Sequence, residues 1–393
     1  MKQIYRHALL TLLLGATCAT AEATTGDIIN EDFSGFTGLT ANYTTSEKNG
    51  WTVHGCSTGA GAYLGTIKLE FVNNYYGNSY ATTPTFSSLT ETCNAVMTYR
   101  YANTNSNQAK FKITINGGGT FPNGKNTWTT TITTESKVFN DGTLKLIGVN
   151  ATTSVTFKLT STNGGYFALD DVVISTADQV TLRDDAVNAV ETKVADVTVG
   201  RTIQGGVWNT LCLPFNTGKN TIAQATGNAV EDVSLRTFSG FSNNELIFAE
   251  KDTITAGTPF LIKVTKTSAN PVFTLASLKG DATAQTVTYN GASMAGTLAP
   301  TNIGATGLFL TATGELKKAN SSSTTLKGLR AYFTVPAGTT QARLMLDDGA
   351  TVIDMVEAVA ADGRWYAPDG RRYSTQPTRQ GIYIKDGKKI IIR

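Results

Sequence analysis

Between residues 26 and 176, apolar and polar side chains alternate with a period of two. Phe111, Ile113 and Ile115 oppose Lys110, Lys112 and Thr114, while Val155, Phe157 and Leu159 oppose Thr156, Lys158 and Thr160. Ile67, Leu69 and Phe71 stand against Lys68 and Glu70 in the same way, which sets Glu70 on the outward side. Successive side chains of a strand point to opposite faces, so each run predicts a strand with one buried and one solvated face. Turn clusters such as Asn116-Gly117-Gly118-Gly119 and Asn140-Asp141-Gly142 separate the runs. Short strands in regular succession with such turns predict a sandwich or jelly roll.

The pattern pauses over residues 177–199, a more polar stretch holding Asp184, Asp185, Glu191 and Lys193, which is read as a connector. It resumes with Trp208 to Phe215, the Phe260/Ile262/Val264 alternation, Leu308 to Leu310 and Arg330 to Phe333. A second β-sandwich is therefore expected over 200–356. The last stretch, 357–393, reads as two hairpins turning at Asp369-Gly370 and Asp386-Gly387. The predicted fold is all-β: two jelly-roll-like sandwiches in series and a short C-terminal β-appendage.

Residues 1–21 have the form of a cleaved leader. Lys2 and Arg6 precede an apolar run from Ala8 to Ala16, and Ala19-Thr20-Ala21 supplies the small residues that signal peptidase prefers. A lipoprotein alternative would acylate Cys18, but Gly15 and Thr17 depart from the expected residues before it. No later segment approaches the roughly 18 apolar residues that a spanning helix needs. The mature chain is thus expected outside the cytoplasm, in a Gram-negative envelope, at the outer-membrane surface or secreted.

The formal charge is +3, of which Lys2 and Arg6 contribute two, leaving +1 on the mature chain. Near-neutrality argues against nucleic acid or an anionic membrane as partner. Export permits a disulfide, and Cys56 and Cys93, in the same predicted domain, are the expected pair; Cys212 is expected to be a buried small hydrophobe.

Catalytic sets are missing. Gly55-Cys56-Ser57-Thr58-Gly59 matches G-x-S-x-G beside His54, but the Ala- and Gly-rich run after it is no helix, and no later histidine follows. With one mature histidine, two-imidazole zinc chemistry is excluded as well. No paired carboxylates in a glycosidase pattern stand out. Sugar-binding surfaces combine aromatic rings with hydrogen-bonding groups. Asn73 to Tyr80 holds Tyr75, Tyr76 and Tyr80 on an expected loop, and Trp51 and Trp128 could add rings. Asp252-Thr253-Ile254 resembles an O-glycosylation acceptor of bacterial envelope proteins.

A family resemblance covers roughly residues 27–176. Asn30-Glu31-Asp32-Phe33, Trp51, Tyr80-Ala81-Thr82-Thr83-Pro84 and Ala168-Leu169-Asp170-Asp171-Val172-Val173-Ile174 look like the choice-of-anchor and galactose-binding-like jelly rolls of bacterial surface proteins. The resemblance implies a structural calcium ion held between Glu31 or Asp32 and Asp170 or Asp171, hard oxygen ligands for a hard cation. The tail, with Trp365 to Tyr373 and Gly381 to Arg393, is similar to the end of C-terminal domains that sort proteins through type IX secretion. The expected function is a non-catalytic surface or secreted protein whose first domain engages a glycan or a host or envelope surface component. A structural or adhesive-fibre subunit of the envelope is the alternative, and a hydrolase stands behind both.

Overall fold

The computed structural model describes residues 26–39, 45–58, 69–72, 79–161, 164–339, 341–346, 352–356, 365–368, 371–385 and 388–392. Among the described residues the first domain holds twelve strands: β1 (Asp27–Glu31), β2 (Thr45–Lys48), β3 (Trp51–His54), β4 (Cys56–Ser57), β5 (Leu69–Phe71), β6 (Tyr80–Thr82), β7 (Cys93–Asn103), β8 (Lys110–Asn116), β9 (Thr127–Thr131), β10 (Asn140–Val149), β11 (Ser154–Leu159) and β12 (Phe167–Thr176). One sheet runs β10-β7-β12-β5-β4, with β1 also pairing β12; the other runs β2-β3-β6-β11-β8-β9. The two make a sandwich.

The alternation read from the sequence decides which residues fill it. Phe111, Ile113, Ile115, Val155, Phe157 and Leu159 are buried from one sheet, and Met97, Tyr99, Leu146, Leu169 and Ile174 from the other. Phe71, Phe167 and Phe111 stack through the middle, with ring centroids 4.1 and 4.6 Å apart. Asn49 and Gly50, both at positive φ, close the β2–β3 hairpin; this is the backbone that a two-residue turn requires, and Asn-Gly adopts it with little strain.

Three expectations change. Asn140-Asp141-Gly142 is not a turn: these residues open β10 and pair with Tyr101, Arg100 and Tyr99. Gly142 lies under the Tyr99 ring, which occupies the space a Cβ would need, so the glycine serves packing inside a strand. Glu70 does not face solvent; it is buried on β5 and accepts a hydrogen bond from Ser57.

Residues 177–199 are also not a linker. β12 is followed after Ala177 by β13 (Asp178–Arg183), which pairs in parallel with β14 (Lys193–Gly200), and β14 pairs with Val272–Leu278. Leu182, Ala195, Val197 and Val199 belong to the second domain's core. Polarity in this stretch is strand alternation, with outward Lys193 ion-paired to Asp178 at 2.8 Å. Asp196 ties the domains together, accepting from Asn94 at 2.9 Å, Gln179 at 3.2 Å and the Leu275 amide at 2.7 Å.

The rest of the second domain is a mixed sheet of eleven strands with smaller two-stranded pairs and one described α-helix, α1 (Lys219–Thr226). The terminal Trp365–Tyr366, Arg372–Tyr373, Gly381–Lys385 and Lys388–Ile392 form a separate four-stranded antiparallel sheet. Its two Asp-Gly turns lie outside the described residues.

Register in the first sandwich yields a contrast between neighbouring positions on β11. Phe157→Ala removes a fully buried ring and is expected to cost about 3–5 kcal/mol. Lys158→Ala, one residue on and pointing outward, is expected to stay within about 0.5 kcal/mol. Urea unfolding of both variants checks the pair; equal losses would contradict the register.

Candidate functional site

Strand pairing in the β2-β3-β6-β11-β8-β9 sheet places side chains in transverse rows on the face opposite the core. One row is Thr45, His54, Tyr80, Lys158, Lys112 and Thr129, paired successively across all six strands. The next is Glu47, Thr52, Thr82, Thr156, Thr114 and Thr127. With strands about 4.8 Å apart, each row spans roughly 24 Å, longer than a single sugar.

Within the first row the His54 and Tyr80 rings stack, centroids 5.3 Å apart and planes 15° from parallel. His54 Nδ1 lies 3.1 Å from Thr45 Oγ1. Lys158 and Lys112 continue the row, half-buried at their stems. The second row offers hydroxyls: Thr82 and Thr156 share a 2.9 Å hydrogen bond, Asn116 donates to Thr156 at 3.0 Å, and Thr52 donates to Glu47 at 2.7 Å. The face therefore carries aromatic faces, cations and a line of hydroxyls on a rigid sheet.

Of the expected ligand-binding aromatics among the described residues, Tyr80 alone is on this face. Trp51 is 1% exposed and packs edge-on against Phe33 at 5.1 Å, so it is core and not a platform. Trp128 is 40% exposed but is paired with Ile113, so it projects from the core side at the edge strand, beside Phe121 at 6.0 Å. Tyr75 and Tyr76 lie outside the described residues. His54, Lys112, Lys158 and the threonine row were missed as a set. Alternation marked several of them as outward, but only the pairing of strands distant in sequence makes them neighbours.

Ser57 and His54 form no nucleophile–base couple. Ser57 donates to Glu70 Oε2 at 3.2 Å, whereas His54 sits on the other sheet against Thr45 and Tyr80.

The expected disulfide is overturned: Cys56, Cys93 and Cys212 are all free. Cys56 is in register with Phe71, Phe71 with Phe167, and Phe167 with Asn103 at one end of β7, while Cys93 begins the other end of that eleven-residue strand. Three strand spacings and ten residues of extended chain separate the thiols, far beyond the span of a disulfide, which holds Cα atoms at about 4.4–6.8 Å. Cys56 points its thiol at the His54 and Tyr80 carbonyls, at 3.4 and 3.6 Å. Cys212 is buried, as its apolar surroundings imply.

Strand pairing sets the end of β1, with Glu31 and then Asp32, alongside the Asp170–Asp171 step of β12. Glu31 pairs with Val172, which sets the end of β1 beside the irregularity at Asp170 and Asp171, where Asp171 has φ 46°. Asp170 is wholly buried. Arg100 reaches Asp171 at 3.2 Å and Asp170 at 3.9 Å. Glu31 accepts from the Phe33 amide at 2.8 Å and from Asn49 at 3.3 Å, and Asp32 from the Ser34 amide at 2.9 Å. The donors are hard oxygens and fit calcium in kind. Among the described residues no three His, Cys, Asp or Glu side chains converge as a metal-holding group, so main-chain carbonyls would have to share in any such site.

No protein-family model matches the sequence, and no curated protein matches it. Among solved structures, the chain is similar to the K3 cleaved adhesin domain of Lys-gingipain from Porphyromonas gingivalis, with 20% identity, 38% of this chain and 98% of that one covered, and a TM-score of 0.26. It is similar to the CBM22-1–CBM22-2 tandem domain of Xyn10C from Paenibacillus barcinonensis, at 10% identity, 81% and 100% coverage and a TM-score of 0.31. The CBM22-1 xylan-binding domain of the same enzyme aligns at 14% identity, 40% and 97% coverage and a TM-score of 0.24. At these overlaps the fold class rests on the chain's own strand pairing. No helix among the described residues is long and apolar enough to cross a membrane.

Thiol reactivity reports the cysteine arrangement. Burial pushes the Cys56 thiol well up and raises Cys212 to about 12, whereas Cys93 is raised but half-exposed. Alkylation of the native, unreduced protein is expected to modify Cys93 first and the other two only on unfolding; protection of Cys93 until a reductant is added would restore the disulfide.

Proposed function

We propose that the mature chain is an exported, non-catalytic binding protein whose first domain takes a glycan across the outer face of the β2-β3-β6-β11-β8-β9 sheet. The observation that carries the reading is the first transverse row, where the stacked His54–Tyr80 pair continues directly into Lys158 and Lys112. Sugar C–H faces pack on aromatic rings while sugar hydroxyls take hydrogen bonds from amines, amides and hydroxyls. A row of that length, backed by the threonine line, suits several sugar units in an extended chain. Binding without turnover is part of the proposal, with the 3.1 Å Thr45–His54 contact read as a structural hydrogen bond of the row.

The full mature protein on a broad glycan array, followed by titration of the hits, tests this. Tyr80→Ala is expected to weaken binding on the order of 10-fold, with Trp128→Ala within about 2-fold because that ring belongs to the other side. Absence of any glycan hit would remove the reading, and self-association in its place would favour the envelope-scaffold alternative.

A structural calcium ion at the junction of β1 and β12 is part of the same proposal. The wholly buried carboxylate of Asp170, in the sheet beside the end of β1 that carries Glu31, is the observation behind it. Millimolar calcium is then expected to raise the unfolding midpoint over that in chelator by mass action, and Asp170→Asn to abolish the rise. Superimposable unfolding curves with and without calcium would eliminate the ion.

A further inference from the structure

The second domain contains a polar cavity of about 350 Å³ that the glycan reading leaves unused. It is lined by Arg201, Lys327, Arg330 and Asp184, with Gln204 and Asn270 nearby on its wall. Asp184 is already engaged twice, with Arg330 at 2.8 Å and Lys327 at 3.2 Å. Arg201 is different. It is 6% exposed, donates from one terminal nitrogen to the Thr210 and Leu329 carbonyls at 2.9 and 2.7 Å, and has no hydrogen-bond partner at its buried Nε. It makes no ion pair with any described carboxylate, whereas Arg330 and Lys327 both pair with Asp184 and Lys327 also feels Asp185.

A buried guanidinium without a counter-charge is costly. Burial and the neighbouring charge of Arg330 push Arg201 down to about 9, with Asp184 opposing them only in part. An anion in the cavity would supply that counter-charge. Gln204 and Asn270 contribute side-chain amides to the wall, which adds neutral donors and acceptors beside the cations.

We infer that this cavity is a binding site for a small carboxylate, the size and donor set suiting a single sugar acid. The carboxylate would face the Arg201, Lys327 and Arg330 cluster, because guanidinium groups match the planar geometry of a carboxylate. Sugar hydroxyls would meet the amides. The site lies in the second domain and uses none of the residues of the first-domain face, so the two readings stand or fall separately.

Calorimetric titration of the full mature chain with glucuronate, acetate, inorganic phosphate and glucose tests the inference. Expected are saturable glucuronate binding, weaker acetate binding, no glucose binding, and affinity that falls as salt rises. Arg201→Met is expected to lower glucuronate affinity on the order of 10-fold or more, and Lys327→Gln by about 3-fold. Lys327 is 61% exposed at its side chain, so its variant keeps the test decisive should Arg201→Met fail to fold. The inference is overturned by the absence of saturable carboxylate binding, by glucose binding as tightly as glucuronate, by phosphate binding more tightly than either acid, or by glucuronate affinity that the Lys327→Gln variant leaves untouched.

Discussion

The first domain depends on one constraint, the register of β11 between β6 and β8. Because side chains alternate along a strand, a slip of one residue would send Phe157 to solvent and Lys158 into the core. The same register that buries Val155, Phe157 and Leu159 therefore presents Thr156 and Lys158 on the other face. Core and candidate site are two sides of one set of hydrogen bonds. Burial of large apolar side chains fixes the register, and the exposed rows follow from it.

The same logic joins the two domains. β12 passes into β13 through Ala177, and β13 is committed to the second core by Leu182. Asp196, largely buried at the junction, accepts hydrogen bonds from residues on both sides, including Asn94 of the first sandwich and the Leu275 amide of the second domain. A buried carboxylate satisfied by several donors resists displacement, since losing a donor leaves charge in a poorly solvated place. The connection has the character of a packed seam.

The polar groups of the molecule fall into two kinds. At Asp184, Glu31 and Asp196 the carboxylates already have donors or cations around them, and their ordinary role is to hold strands and turns in place. On the outer face of the β2-β3-β6-β11-β8-β9 sheet aromatic, cationic and hydroxyl side chains are gathered in rows, and in the second domain the buried Nε of Arg201 has no hydrogen-bond partner. Those two places differ in shape. One is an open row across six strands and the other a small cavity, so they suit an extended ligand and a compact one.

The sequence by itself determined the all-β class, the period-two faces of β8 and β11, and the shortage of catalytic histidines, because these depend only on residue type and local spacing. The resemblance to galactose-binding-like jelly rolls, in turn, implied a relation between Glu31 or Asp32 and Asp170 or Asp171. The tertiary structure alone decided what each aromatic does. Trp51, Tyr80 and Trp128 are chemically similar in a sequence, yet one is core, one lies on the outer face and one sits at an edge, because burial depends on which distant strand packs above. Gly142 looked like a turn residue until the ring of Tyr99 was found over it. Cys56 and Cys93 are in one predicted domain, but the ladder sets them three strands apart, with Cys93 at the far end of β7. Arg201 carried no signal at all, since its significance lies in the absence of an acid beside it, and that is a property of space and not of spacing along the chain.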